Sequence, residues 1–521
     1  MSLLPTYDEI NVVSDIHMGG EPGFQILRHG ERLGTLIEDL AQRSPDRDVA
    51  LILNGDVIDS LAENIGGYVA MENGERLMDR IYNDPTFKPV WQGLGKFVRA
   101  PKRHLIIVAG NHDIELYLPG IERSIRQRLA GGEPALNGTI TFATHGTGYA
   151  CCVGPARVYC THGNEVDAWN HVDHRQLAEL GNALSSGKTI EKEDWCPNGG
   201  TRLVVDVMNR IKHKYPFVDL LKPEIKLVVP ILLVLEPELF KGIDFDDVFS
   251  IAAGWIRGKM KTRGLLSADA ENSQHVSDPA AATELALDEL LGPRLCEGIR
   301  AGGSSPPASE DDLLLAAERA VDNNEDVLAS IEEDAAEGTL GWFGMLVDRV
   351  RGVDKVDALR RAILDWVKDD GTFDIDNRDD CFKDLIKRVS DDVDFVIAGH
   401  THLERAIKIR EDVDRFYYNC GTWIRLLRLK TAFLKEDVFP KVYEILKSDS
   451  MRAIDEGAVD VGEGHAQPLV LDQTSLVRIA VCDEGVKGEL LHIRGGEAGD
   501  ELDAQPVPNS TFVKKPGVKK P

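Results

Sequence analysis

The stretch INVVSDIH, residues 10–17, decides how this chain is read. A short run rich in β-branched residues stops at Ser14. In extended backbone Asp15 and His17 fall on one side, so a carboxylate and an imidazole turn toward one point. The arrangement recurs four times. Residues 49–54 lead into Gly55-Asp56-Val57-Ile58-Asp59, and residues 104–109 into Gly110-Asn111-His112-Asp113. Residues 157–161 lead into His162-Gly163-Asn164, and residues 394–398 into Gly399-His400-Thr401-His402. Each apolar run is short and bounded by Gly, Asn or Asp, which predicts five buried strands. Between the first two, residues 30–42 place Leu33, Leu36, Ile37 and Leu40 at helical spacing. Alternating strands and helices predict an α/β sheet, in which chemistry gathers where strands end.

A D-x-H or an H-x-H tripeptide arises readily by chance, and a lone histidine is more often structural than a ligand. Five such clusters in this order, each after a strand, do not arise that way. The series resembles the calcineurin-like metallophosphoesterase superfamily, whose pattern runs D-x-H, G-D-x-x-D, G-N-H-[DE], a further H and G-H-x-H. The likeness covers roughly the first 165 residues and residues 394–423. It implies an α/β fold of the two-sheet αββα sandwich type, here carrying a large, mostly helical insertion.

Carried over residue by residue, the resemblance implies that Asp15, His17, Asp56 and His402 hold one divalent metal ion. Asp56, Asn111, His162 and His400 would hold a second, with Asp56 bridging. A bridging carboxylate can keep two ions about 3.5–4 Å apart, sharing the hydroxide that attacks phosphorus. Imidazole, carboxylate and amide oxygen without thiolate suit Mn2+, Fe2+ or Zn2+. His112 is implied as the general acid for the leaving alkoxide, with Asp113 orienting its ring, or alternatively capping the next helix. Asp59 is read as the partner of a metal-bound histidine. Gly55, Gly110 and Gly399 are expected to supply the tight backbone that aims the next side chain inward. Asn419-Cys420-Gly421-Thr422-Trp423 resembles the N-x-G-T-W of bacterial relatives and is expected to seal the sheet near the site. His145, His171 and His174 flank the fourth motif and are read as surface or structural residues, with substrate contact as the alternative.

Bulk properties bound the reading. At 521 residues the chain exceeds one ordinary core, and 43% hydrophobic with 28% charged residues is the composition of a globular protein. No apolar run is long enough to span a bilayer. A net charge of -27 and a pI near 5.0 argue against a broad nucleic-acid footprint. Eight cysteines without a C-x-x-C pair fit reduced thiols. With a start, MSLLPTYDEI, that lacks a secretory pattern, this gives a cytoplasmic expectation.

Along the chain we expect core sequence at 1–176 and 389–499, a helical insertion at 177–388 acting as a cap, and a disordered tail at 500–521. Within the insertion, residues 311–333 read as helix, 302–309 as a Gly/Ser/Pro-rich break, and 227–235 as buried helix rather than a membrane contact. After Trp423, residues 438–448 read as a helix, and 475–481 with 487–493 as a hairpin that adds to the sheet edge.

The resulting function is hydrolysis of a phosphomonoester, phosphodiester or pyrophosphate bond in a small or medium substrate, with oligomeric state open. Asp59 is followed by Ser60-Leu61 rather than the Arg-Gly of protein phosphatases, which disfavours that branch. His112 stands where the lipid A branch has Arg, so a pyrophosphate-cleaving role stays open without that assignment. A nuclease acting on DNA ends is the alternative, kept open by Arg210, Lys212, Lys214 and Lys222. A non-catalytic scaffold on the same fold is the other.

Overall fold

In the computed structural model the described residues are 4–221, 231, 234–236 and 354–516, apart from 64, 66, 71–72, 119, 168–169, 191–193, 368–369, 463 and 498–499. All five expected strands form. We label them β1 (Glu9–Val13), β2 (Val49–Asn54), β3 (Arg103–Val108), β4 (Ala156–Cys160) and β5 (Phe395–Ala398).

β1, β2, β3 and Ile140–Ala143 run parallel, so their carboxyl ends share one edge. In the second sheet β4, β5 and Phe416–Cys420 are likewise parallel, flanked by antiparallel Tyr149–Val153 and Glu404–Lys408. The period of two in each strand divides its side chains between layers. In β2, Ala50 and Ile52 face the second sheet, packing with Val158, Ile397 and Tyr418. Leu51 and Leu53 face the helices Gly30–Gln42 and Lys88–Arg99, meeting the layer of Leu33, Ile37, Leu94 and Phe97. The helix Asp380–Arg388 covers the outer face of the second sheet with Phe382 and Leu385. The molecule is therefore the αββα sandwich expected.

The hairpin is Ser475–Cys482 with Gly485–Arg494, and its first strand pairs antiparallel with β1, Ile479 opposite Ile10. The helix expected at 438–448 spans Phe439–Leu446. The disordered tail requires correction. Asp503–Pro506 and Phe512–Lys514 both pair with Gly485–Arg494, and the sheet reaches eight strands. A few anchors outweigh the polar composition. Phe512 stacks on Phe416 with ring centroids 4.8 Å apart, and the Tyr418 hydroxyl donates to Ser510 O at 2.8 Å.

The boundaries 177–388 also cut through packed layers. Leu177 and Leu180 belong to the helix-side core, and Phe382 and Leu385 to the outer face of the second sheet. Met208, Phe217, Leu221, Leu359 and Ile363 share a further core with Phe433, Phe439 and Leu446, which lie after the insertion. Ile231, Val234 and Leu235 are buried in that same core. The expected helix at 311–333 and break at 302–309 lie outside the described residues, as do 227–230. Among the described residues no helix is long and apolar enough to cross a membrane.

Candidate active site

The carboxyl ends of β1, β2 and β3 meet those of β4 and β5 through main-chain bonds. Asp15 N donates to Gly55 O and His17 N to Asp56 O, so the first two motif loops run side by side. Gly399 N donates to His162 O, Asn54 Nδ2 to Thr161 O, and His400 N to Asp15 Oδ2. The predicted seal is present. Trp423 N and Thr422 Oγ1 both donate to Asp15 O, while Asn419 Nδ2 donates to Gly399 O.

At this junction Asp15, His17, Asp56 and His402, all buried, offer one ligand atom each within 4.8 Å of one another. The Nε2 atoms of His17 and His402 lie 3.3 Å apart, and His402 Nε2 is 3.1 Å from Asp15 Oδ1. Asp56 Oδ2 sits between two histidines, 3.1 Å from His162 Nε2 and 3.7 Å from His17 Nε2. His162 Nδ1 donates to Asn54 O at 2.9 Å, which turns Nε2 toward Asp56. Buried Asp15 Oδ1, Asn111 Oδ1 and His162 Nε2 have no hydrogen-bond partner. Orphaned buried acceptors in such a cluster are what a cation would satisfy, and the oxygen and imidazole donors suit a divalent one. His400 stands slightly apart: its ring meets His162 at 5.4 Å, and its Nε2 lies 2.8 Å from Asp167 Oδ2.

Residues 9–228 match the family model for calcineurin-like phosphoesterases. The chain thus contains a calcineurin-like phosphoesterase domain. No curated protein matches it. Such a domain is that of a metal-dependent phosphoesterase, a hydrolase, and the buried Asp/His cluster could hold a metal ion.

The backbone is strained at the candidate ligands. Among the described residues eight non-glycine residues have positive φ, and five of them are Asp15, His17, Asp56, His400 and His402, at 51° to 69°. Each costs about 1–3 kcal/mol and persists only where its surroundings over-determine it, here through the hydrogen bonds above. Sequence reading assigned the tight backbone to the glycines instead. Only Gly55 of the three has positive φ. Gly110 and Gly399 are needed for close approach. A Cβ on Gly110 would come within 2.2 Å of Asp56 Oδ1, and one on Gly399 within 2.6 Å of Asp15 Oδ2. Gly110→Ala should therefore displace Asp56 and strip metal, at about 1–3 kcal/mol of stability, read by elemental analysis and thermal unfolding.

The role expected of Asp113 is corrected. Its Oδ2 accepts Val57 N at 2.8 Å and its Oδ1 accepts Gly110 N at 2.6 Å, so the carboxylate ties two motif loops together. It makes no cap hydrogen bond to the turn that follows. Burial, reinforced by Asp56, pushes it up to about 7. The carboxylate beside His112 is Asp59, with Oδ1 3.1 Å from Nδ1, while Asp59 Oδ2 lies 3.4 Å from His17 Nδ1. Burial works against the charge of Asp59, but the His112 and His17 rings hold its carboxyl far below the usual range. The D-x-x-D spacing of the second motif was the signal for this contact, because it returns the second carboxylate to the same loop.

Electrostatics also predict a proton count. Burial opposes a charge on His162, yet the adjacent Asp56 outweighs it and raises the ring to about 10 in metal-free protein. Since this pKa lies above the ordinary imidazole value of about 6.5, the ion pair stabilises fully below that pH and fades as pH rises toward about 10. A metal bound at His162 would have to displace this proton. Calorimetry at pH 7 in buffers of different ionisation enthalpy should show release of about one proton from His162, and affinity should rise with pH.

Proposed function

We propose that the protein is a dinuclear phosphoesterase in which Asp56 bridges two divalent ions. Asp15, His17 and His402 complete one site, and Asn111, His162 and His400 the other. The observation that carries this reading is Asp56 Oδ2 poised between His17 and His162, amid three orphaned ligand atoms. When bound, the ions would supply Lewis acidity toward the phosphoryl oxygens and acidify water.

His112 acts as the general acid. Asp59 accepts from Nδ1, which leaves Nε2 as the atom that delivers a proton to the leaving oxygen. Its main chain is fixed too, as Ser60 Oγ donates to His112 O at 2.8 Å. Asp113 contributes by holding Val57 and Gly110 in register.

The described root of the inserted sequence borders the site, and a part in substrate selection follows from that position. That root stands on the loops behind the first two motifs. Asn209 Nδ2 donates to Leu61 O at 2.7 Å, and His213 pairs with Glu21 at 3.7 Å. Of the basic residues that kept a nuclease reading open, Arg210 and Lys214 are exposed. Lys212 is buried on Asn209 Oδ1 at 2.8 Å and Lys214 pairs with Glu236, while Lys222 lies outside the described residues. The acidic composition favours a small or medium phosphoester.

Metal-free protein reloaded with Mn2+, Fe2+ or Zn2+ tests the reading on p-nitrophenyl phosphate, bis-p-nitrophenyl phosphate, cyclic nucleotides, nucleotide sugars and single-stranded DNA. Hydrolysis of a small ester that chelator abolishes and metal restores is expected. Cleavage confined to DNA would contradict it.

A further inference from the structure

Ile140–Ala143 lies parallel to β3 with Ala143 opposite Val108, so Thr144-His145 leaves the sheet alongside Gly110-Asn111. His145 and His174 lie against Tyr117, which ends the turn Ile114–Tyr117 directly after His112 and Asp113. Tyr117 stacks on His174, with ring centroids 5.5 Å apart, and its hydroxyl lies 2.6 Å from His174 Nδ1. His145 stands edge-on to Tyr117 at 6.1 Å, and His171 edge-on to His174 at 6.5 Å. None of these residues belongs to the ligand set.

Their charge setting differs from that of other histidines in this acidic chain. Nine of the described histidines have a carboxylate oxygen within 4 Å. Among the described residues His145, His171 and His174 have none. The acids that act on them from further away are engaged: Glu165 accepts from Thr161 Oγ1 and Gly163 N, and Asp173 from Gln176 N. Burial, then Asp113 and Glu165, raise the Tyr117 hydroxyl above its ordinary pKa, so it stays a donor. Burial, with His171 and His145 adding to it, lowers the His174 ring. Tyr117 then donates to Nδ1, and the ring proton of His174 sits on Nε2, a buried atom without a hydrogen-bond partner.

An imidazole cluster with an unmet donor and no counter-ion has the chemistry of an oxyanion site. Resting on the phosphoesterase reading above, we propose that Tyr117, His145, His171 and His174 form a subsite for a second phosphate group. The physiological substrate then carries a phosphate besides the one attacked.

The test compares wild type with the double variant His145→Gln, His171→Gln, both changes being at exposed positions. In metal-free protein with 13C-labelled histidine rings, inorganic phosphate should shift the His145, His171 and His174 signals saturably, leaving remote His104 unmoved. In the metal-loaded enzyme, adenosine 3′,5′-bisphosphate should compete with p-nitrophenyl phosphate better than AMP. That advantage should fall about tenfold in the double variant, while p-nitrophenyl phosphate kinetics stay unchanged. Absence of the ring shifts, or a bisphosphate advantage that is missing in wild type or survives the variant, overturns the proposal. Should no ester be hydrolysed at all, the phosphoesterase reading fails, and the ring shifts alone still decide the subsite.

Discussion

Replacing Asp56 by Asn should cost both metal ions and lower turnover of activated esters by about 10^3-fold or more, since the Lewis acidity lost amounts to several kcal/mol of transition-state stabilisation. The side chain lies between His17 and His162, and its Oδ1 accepts His112 N at 2.9 Å, so one substitution touches both proposed ligand sets and the loop of the proposed acid. His17→Ala should chiefly weaken one ion. Elemental analysis of the two variants separates them, and two ions still bound after Asp56→Asn would contradict the bridging role.

The second large effect concerns the leaving group. His112→Ala should keep its metal and lose about 10^2 to 10^4-fold on an alkyl phosphoester, with much less lost on a p-nitrophenyl ester, because a poor leaving group depends on protonation. Asp59→Asn should follow the same pattern at about 10 to 100-fold, as removal of an orienting partner does. Asp113→Asn should instead lower thermal stability, since its two backbone bonds join the Val57 and Gly110 loops. If Asp113→Asn reproduced the leaving-group dependence and Asp59→Asn did not, the assignment of Asp59 would be wrong.

Much of this architecture was legible because strands and motifs coincide. All five apolar runs became strands within a residue of their expected bounds, and each polar cluster emerged at the shared edge. What escaped sequence reading depends on three-dimensional detail. Left-handed backbone at Asp15, His17, Asp56, His400 and His402 leaves no mark in residue type, since it is imposed by hydrogen bonds between distant loops. The choice between Asp59 and Asp113 as partner of His112 could not be made from proximity along the chain. Asp113 adjoins His112, yet its carboxylate turns back to backbone amides. The tail looked disordered by composition, but Phe512 and Ser510 suffice to anchor it on the aromatic layer between the sheets.

Stoichiometric reconstitution tests the central claim most directly. Metal-free protein titrated with Mn2+ or Zn2+, with bound metal and p-nitrophenyl phosphate hydrolysis followed together, should reach full activity at two ions per chain. The Asp56→Asn variant should bind neither ion tightly. Full activity at a single bound ion, or two tightly bound ions with no hydrolysis of any phosphoester, would contradict the account.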